Sequence, residues 1–138
     1  MRQATTMLTV ATDRQGLIEV TDRIAGWVAE QEMREGLLTV FCRHTSASLL
    51  VQENAAPAAR RDLERYFATI APESADYEHD DEGPDDMPAH LRAALTSTAL
   101  TIPLIDGELA LGTWQGIYLF EHRNRPHRRT LALHLIAD

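Results

Sequence analysis

Apolar and polar positions along this chain alternate with two periods, and the changes from one to the other predict its elements. Residues 5–12 mix β-branched and apolar positions as a half-buried strand does. Gln15-Gly16 is a turn, and residues 17–20 form a second short strand. Thr21 or Asp22 then caps a helix in which Ile24, Trp27 and Val28 fall at helical spacing. Gly36 is expected to end it. The clearest strand covers residues 37–44, where Leu38, Val40, Cys42 and His44 share one face. A return strand covers residues 48–52. Pro57 opens a helix to about residue 70, with Leu63, Phe67 and Ile70 as its apolar stripe and Asp62 beside that stripe. A third helix starts near Asp86, which can cap it, with Pro88 in its first turn. Strands at 100–105 and 109–111 flank Asp106-Gly107, a two-residue hairpin signal. The last strands are 117–121 and 130–136. The stretch around Trp114 and residues 117–121 is apolar on both faces, so it is either buried on both sides or packed against another subunit.

Composition narrows the function. The chain has 138 residues, enough for one ordinary domain spanning 1–138, and its formal net charge is −8. That acidity argues against a duplex nucleic-acid binder. No apolar run reaches the ~20 residues of a membrane helix, and the N-terminus lacks the apolar block of a signal peptide. The expected compartment is the cytoplasm. Every basic side chain is arginine. Without lysine there is no Schiff-base residue and no Walker-type phosphate loop. Cys42 is the single cysteine, so any metal must be held by histidine and carboxylate.

The richest chemistry lies between the second and third helices, in the run from Tyr77 to His90. It packs His79, His90 and a series of carboxylates around Gly83, Pro84 and Pro88. His44, at the end of a core strand, could add a third imidazole. His44, His79 and His90 are therefore the expected ligands of a divalent, zinc-like ion with an open position. His90, near a helix N-terminus, should stay neutral and free to bind metal. Asp80, Asp85 and Asp86 could orient these histidines or hold magnesium, whereas Asp81 and Glu82 read as solvated. His127 and His134 read as surface or interface residues, His122 fits no single reading, and Cys42 reads as core.

The residues His44-Thr45-Ser46-Ala47-Ser48, Glu53-Asn54, Arg61-Asp62-Leu63, Tyr77-Glu78-His79-Asp80, Asp85-Asp86-Met87-Pro88-Ala89-His90, Gly112-Thr113-Trp114-Gln115-Gly116 and Glu121-His122-Arg123 follow one another in a set order. In order and spacing this set resembles the YjbQ-type family, known for a secondary thiamine-phosphate synthase activity. The resemblance implies a compact α+β domain with one large, mainly antiparallel (mixed) sheet and helices packed on it, usually assembled as a homotrimer. It also implies the joining of an aminopyrimidine methyl pyrophosphate to a thiazole phosphate with release of pyrophosphate.

That reaction needs positive charge where pyrophosphate departs. The expected parts are the metal at His44, His79 and His90, with magnesium as an alternative for the pyrophosphate. Asp62, Asp86 and His79 would move protons. Arg123 with Thr45, Ser46 and Ser48 would hold phosphate, unless Arg123 merely pairs with Glu121. Trp114 and Gln115 are either a substrate platform or a subunit contact. A metal-dependent hydrolase of a phosphorylated small molecule would use the same parts. A non-catalytic metal- or metabolite-binding oligomer would keep the histidines without turnover. The enzyme is the favoured reading.

Overall fold

The computed structural model describes residues 1–138. Strands β1 (Arg2–Thr12), β2 (Gly16–Glu19), β3 (Gly36–Cys42), β4 (Ala47–Glu53), β5 (Ala99–Ile105), β6 (Glu108–Leu109), β7 (Gln115–Glu121) and β8 (His127–Ala137) alternate with helices α1 (Thr21–Glu30), α2 (Pro57–Ile70) and α3 (Asp86–Leu95). This is the expected α+β class, and every strand pairing is antiparallel. The strands divide into a five-stranded sheet in the order β1-β8-β3-β5-β6 and a three-stranded sheet in the order β2-β7-β4. A bridge between Leu49 and Ser97 joins them into one curled layer.

Period-two alternation builds the core. Leu38, Val40 and Cys42 of β3 lie beside Leu131, Leu133 and Leu135 of β8, and all are buried with Ile24 and Val28 of α1 above them. Leu49, Ile117 and Leu119 carry the same core onto the three-stranded sheet. The other face of that sheet places Leu17, Tyr118 and Phe120 under Leu63 and Phe67 of α2. Phe67 meets Phe120 edge to face, ring centroids 5.2 Å apart, a geometry worth roughly 0.5–1.5 kcal/mol beyond its burial. Here is the physical reason for the doubly apolar 117–121 run: β7 is a central strand covered on both sides within one chain.

Several boundaries differ from the sequence expectation: β3 stops at Cys42, short of His44, while β1 begins at Arg2 and β8 at His127. The first helix ends at Glu30 rather than at Gly36, and the left-handed turn falls at Glu32 (φ 54°). Gly36 instead opens β3, where a Cβ would collide with the Ile136 carbonyl and with Ala137 of β8. The Asp106-Gly107 hairpin is as expected, with φ of 52° and 83°, the signature of a type I′ turn. No helix is long and apolar enough to cross a membrane.

Candidate functional site

Asp86 opens α3 and His90 follows one turn later, so the (i, i+4) spacing sets both on one helix face. The loop before α3 turns back at Gly83 (φ 106°) and brings His79 to the same place. Oδ2 of Asp86 lies 2.8 Å from Nε2 of His79 and 3.2 Å from Nε2 of His90. Oδ1 accepts from Nη1 of Arg123 at 2.8 Å. Arg123 is anchored in turn by Asp85, to which its Nε donates at 3.0 Å, and by the Glu82 carbonyl at 2.8 Å. One carboxylate is therefore divided, with one oxygen held by a guanidinium and the other turned to two imidazoles.

The hydrogen bonds fix the ring of His90. Its Nδ1 donates to the Thr45 carbonyl at 3.0 Å, and a carbonyl only accepts. Neutral His90 thus carries its proton on Nδ1 and offers the Nε2 lone pair to whatever lies beside Asp86. This is how a backbone carbonyl commonly orients a metal-binding imidazole. For Asp86, burial pushes the pKa up, but the His79 hydrogen bond and the His90 and Arg123 charges outweigh it and hold the group below its ordinary range. His79, hydrogen-bonded to that carboxylate, is raised. The ligand atoms of His79, Asp86 and His90 all lie within 4.8 Å of one another, so two imidazoles and one carboxylate could hold a zinc-like divalent ion. His79 also approaches Asp81 and Glu82, both solvent-exposed, at 3.5 and 3.4 Å.

His44 does not join this cluster. Its Nε2 accepts the backbone N–H of Thr130 at 2.8 Å, which occupies that lone pair and places the ring proton of neutral His44 on Nδ1. Neither nitrogen is left to a metal. Burial holds its pKa down, helped by the Arg129 charge. His44 and His90 instead both line an open cleft of about 790 Å³, together with Arg43, Thr45, Ser46 and Thr98.

Other expected residues are placed elsewhere. Asp62 is 70% exposed on α2, where it pairs with Arg65, because it lies just off the helix's apolar stripe. Ser48 is buried and bonded to Nε2 of His122 at 2.9 Å, away from the cleft lining. The Arg123 guanidinium pairs with Asp85 and Asp86, and each of its three nitrogens is already engaged; Glu121 accepts only the Arg123 backbone N–H, at 3.1 Å. Trp114 is 64% exposed and borders no cavity, and the Gln115 side chain closes its own turn onto the Gly112 N–H at 2.7 Å. The β4–β7 ladder pairs Glu53 with Gln115 and Ala47 with Glu121, so Trp114 and Thr45 sit at opposite ends, roughly 20 Å apart along the strands. Within one chain they cannot share a small ligand.

Sequence reasoning missed a buried ion pair behind the cleft. Glu121 and Arg129 are almost wholly buried, with Nε of Arg129 donating to Oε1 at 2.8 Å and the Thr12 hydroxyl to the same oxygen at 2.6 Å. Burial pushes the Glu121 pKa up, but the Arg129 and Thr12 bonds outweigh it and hold the carboxylate low. Arg129 also donates to the Ser46 carbonyl at 3.1 Å, so the pair braces the turn that His90 grips. A signal existed: Arg129 has the inward parity of Leu131, Leu133 and Leu135.

Comparison with known proteins agrees with this architecture. Residues 6–138 match the family model described as UPF0047 protein YjbQ-like. A UPF0047 protein of Synechocystis sp. is 48% identical, over 99% of this chain and 94% of its own length. UPF0047 protein YjbQ of Escherichia coli O157:H7 is 44% identical over 84% of this chain and 85% of that one. Among solved structures, hypothetical protein APE1520 from Aeropyrum pernix K1 superposes with a TM-score of 0.88 at 28% identity, covering 98% of this chain and 99% of that one. An uncharacterized conserved protein of the yjbq/upf0047 family from Clostridium acetobutylicum gives 0.83 at 32% identity, covering 96% and 99%. This chain belongs to the YjbQ-like UPF0047 family.

Proposed function

We propose that this chain is a metal-dependent enzyme acting on phosphorylated small molecules, with thiamine-phosphate formation as its reaction. The observation that carries the proposal is Oδ2 of Asp86 set between the Nε2 atoms of His79 and His90, at 2.8 and 3.2 Å, beside an open cleft. His79, Asp86 and His90 would hold the ion. Bound there, a divalent cation supplies positive charge to a departing pyrophosphate.

The chain's own groups prepare that position. Arg123 aims Asp86, the Thr45 carbonyl fixes the His90 tautomer, and His79 reaches the same carboxylate from the solvent side. The test is kcat/KM for joining the aminopyrimidine pyrophosphate to the thiazole phosphate, with zinc or magnesium, in wild type, His90→Ala and His44→Ala. Metal stoichiometry is read alongside. His90→Ala should lose both turnover and metal, whereas His44→Ala should keep its metal. Phosphate release without condensation would identify a hydrolase instead. No turnover with either metal would sink the catalytic reading and leave a metal-binding oligomer.

We also propose that the chain assembles as a homotrimer. Its own chain buries β7, whereas the outer face of the five-stranded sheet stays uncovered. Cross-strand register aligns Met7, Ala132 and Phe41 in one row and Gln3, Ile136 and Leu37 in another. Met7, Phe41, Leu37 and Ile136 are all exposed. These two rows contain no charged side chain, in a protein of which 25% of residues are charged, which favours covering by a like face.

A further inference from the structure

The lining of the cleft departs from the charge of the whole molecule. The chain carries 21 acidic and 13 basic residues, yet no carboxylate lines this cleft, and Arg43 does. Most arginines here are engaged: Arg123 and Arg129 by buried carboxylates, Arg34 by Asp106, Arg65 by Asp62, Arg92 by the Ala71 carbonyl. The guanidinium of Arg43 donates to nothing within the chain, and neither do those of Arg61, Arg125 and Arg128. Of these four only Arg43 borders the cleft.

Three further groups in the cleft have a free donor. Neutral His44 holds its proton on Nδ1, because Thr130 occupies Nε2, and no group of the chain accepts that proton. The Thr45 and Thr98 hydroxyls have no partner, and both line the cleft. Phe41, Ala93 and Ala94 also line it. A guanidinium, an imidazole N–H and two hydroxyls, with no competing carboxylate, match the acceptor oxygens of a phosphate. The apolar wall matches an uncharged body attached to it.

We propose that Arg43 is the anion anchor of this cleft. It takes the phosphate of a small phosphate monoester whose apolar part lies against Ala93 and Ala94, with Nδ1–H of His44 as second donor. The assignment rests on the proposed function only in making the cleft the working side of the His79–Asp86–His90 cluster. Anion binding itself requires no metal, so the two readings fail separately.

The test uses the full-length protein stripped of metal by chelator, titrated with phenyl phosphate, inorganic phosphate and phenol, and followed by calorimetry and by backbone amide shifts. Arg43→Gln should weaken phenyl phosphate about tenfold to a hundredfold, the loss expected for one charge-assisted contact. Because the Arg43 side chain makes no hydrogen bond or ion pair within the chain, the fold should be unchanged. Arg61→Gln, a similarly unpaired arginine on α2, should weaken neither phenyl phosphate nor inorganic phosphate. Shifts should centre on residues 43–46. Equal affinity in Arg43→Gln and wild type, an equal loss in Arg61→Gln, or no binding of phenyl phosphate to wild type would each overturn the assignment. Metal content, measured on the unstripped protein, judges the cluster independently.

Discussion

Arg123 and Asp86 are 37 residues apart in sequence, and Nη1 of Arg123 donates to Oδ1 of Asp86 at 2.8 Å. Because that oxygen is taken, Oδ2 is the one that meets both imidazoles. Removing the fork should let the carboxylate rotate without deleting it. Arg123→Gln is therefore expected to weaken zinc binding about tenfold to a hundredfold, the usual cost of losing a group that orients a ligand. Competition with a chromophoric chelator measures this. Affinity equal to wild type would show that Asp86 needs no such restraint.

Acid should destabilise the protein through His122. The ring is fully buried against Phe120, and burial first, then the Arg92 and Arg129 charges, lowers its pKa from 6.5 to about 3. Between those values the unfolded chain binds a proton that the folded ring refuses. The stability is complete above the unfolded pKa and falls as pH drops toward the folded one, by up to roughly 1.4 kcal/mol per pH unit. His122→Gln keeps a partner for the Ser48 hydroxyl and removes the titration. Urea melts at about pH 7 and about pH 5 should show a smaller loss in the variant than in wild type. The raised His79 works in the opposite direction, and it is common to both proteins, so it cancels. Equal losses would mean that the buried ring titrates normally.

Glu121→Gln should be costly in a different way. It strips the partner from Arg129, whose guanidinium is almost wholly buried, and breaking such a pair from one side costs about 3–5 kcal/mol. Replacing Glu121 and Arg129 together by apolar residues of similar volume should restore a good part of that. Chemical denaturation of the single and double variants gives the comparison. A single-variant loss below about 1 kcal/mol would place the pair among weakly coupled surface contacts.

For the assembly, light scattering at micromolar concentration should give three times the 15.4 kDa chain mass. Ile136→Glu, in the uncharged rows of the outer sheet face, should shift it toward monomer. A wild-type monomer would defeat the trimer, and an intact trimer in Ile136→Glu would move the contact off this face.

What could be read in the sequence was what local spacing controls. Alternation in Leu38, Val40 and Cys42 marked a core strand, and Asp106-Gly107 marked a hairpin, since neither needs a distant partner. Asp86 and His90 share a helix face by spacing alone. The misplacements all turn on long-range bonds. Nothing near His44 in sequence announces the Thr130 N–H, 86 residues away, that takes its lone pair from any metal. Arg123 looked free for phosphate because Asp85 and Asp86 lie far upstream. Trp114 joined the site only by its place in a motif, and the register of β4 on β7 separates them.

The bond from His90 to position 45 runs to the main chain, so the ring's proton placement is indifferent to which side chain that position bears. Evolution or a laboratory library can vary residue 45, retuning what the cleft accepts, while the imidazole keeps the same tautomer. Position 90 has no such latitude, because its role is written in ring atoms that no other residue supplies. Saturation mutagenesis should therefore return a broad spectrum of metal-loaded proteins at 45 and almost none at 90, two neighbours in space with opposite freedom to change.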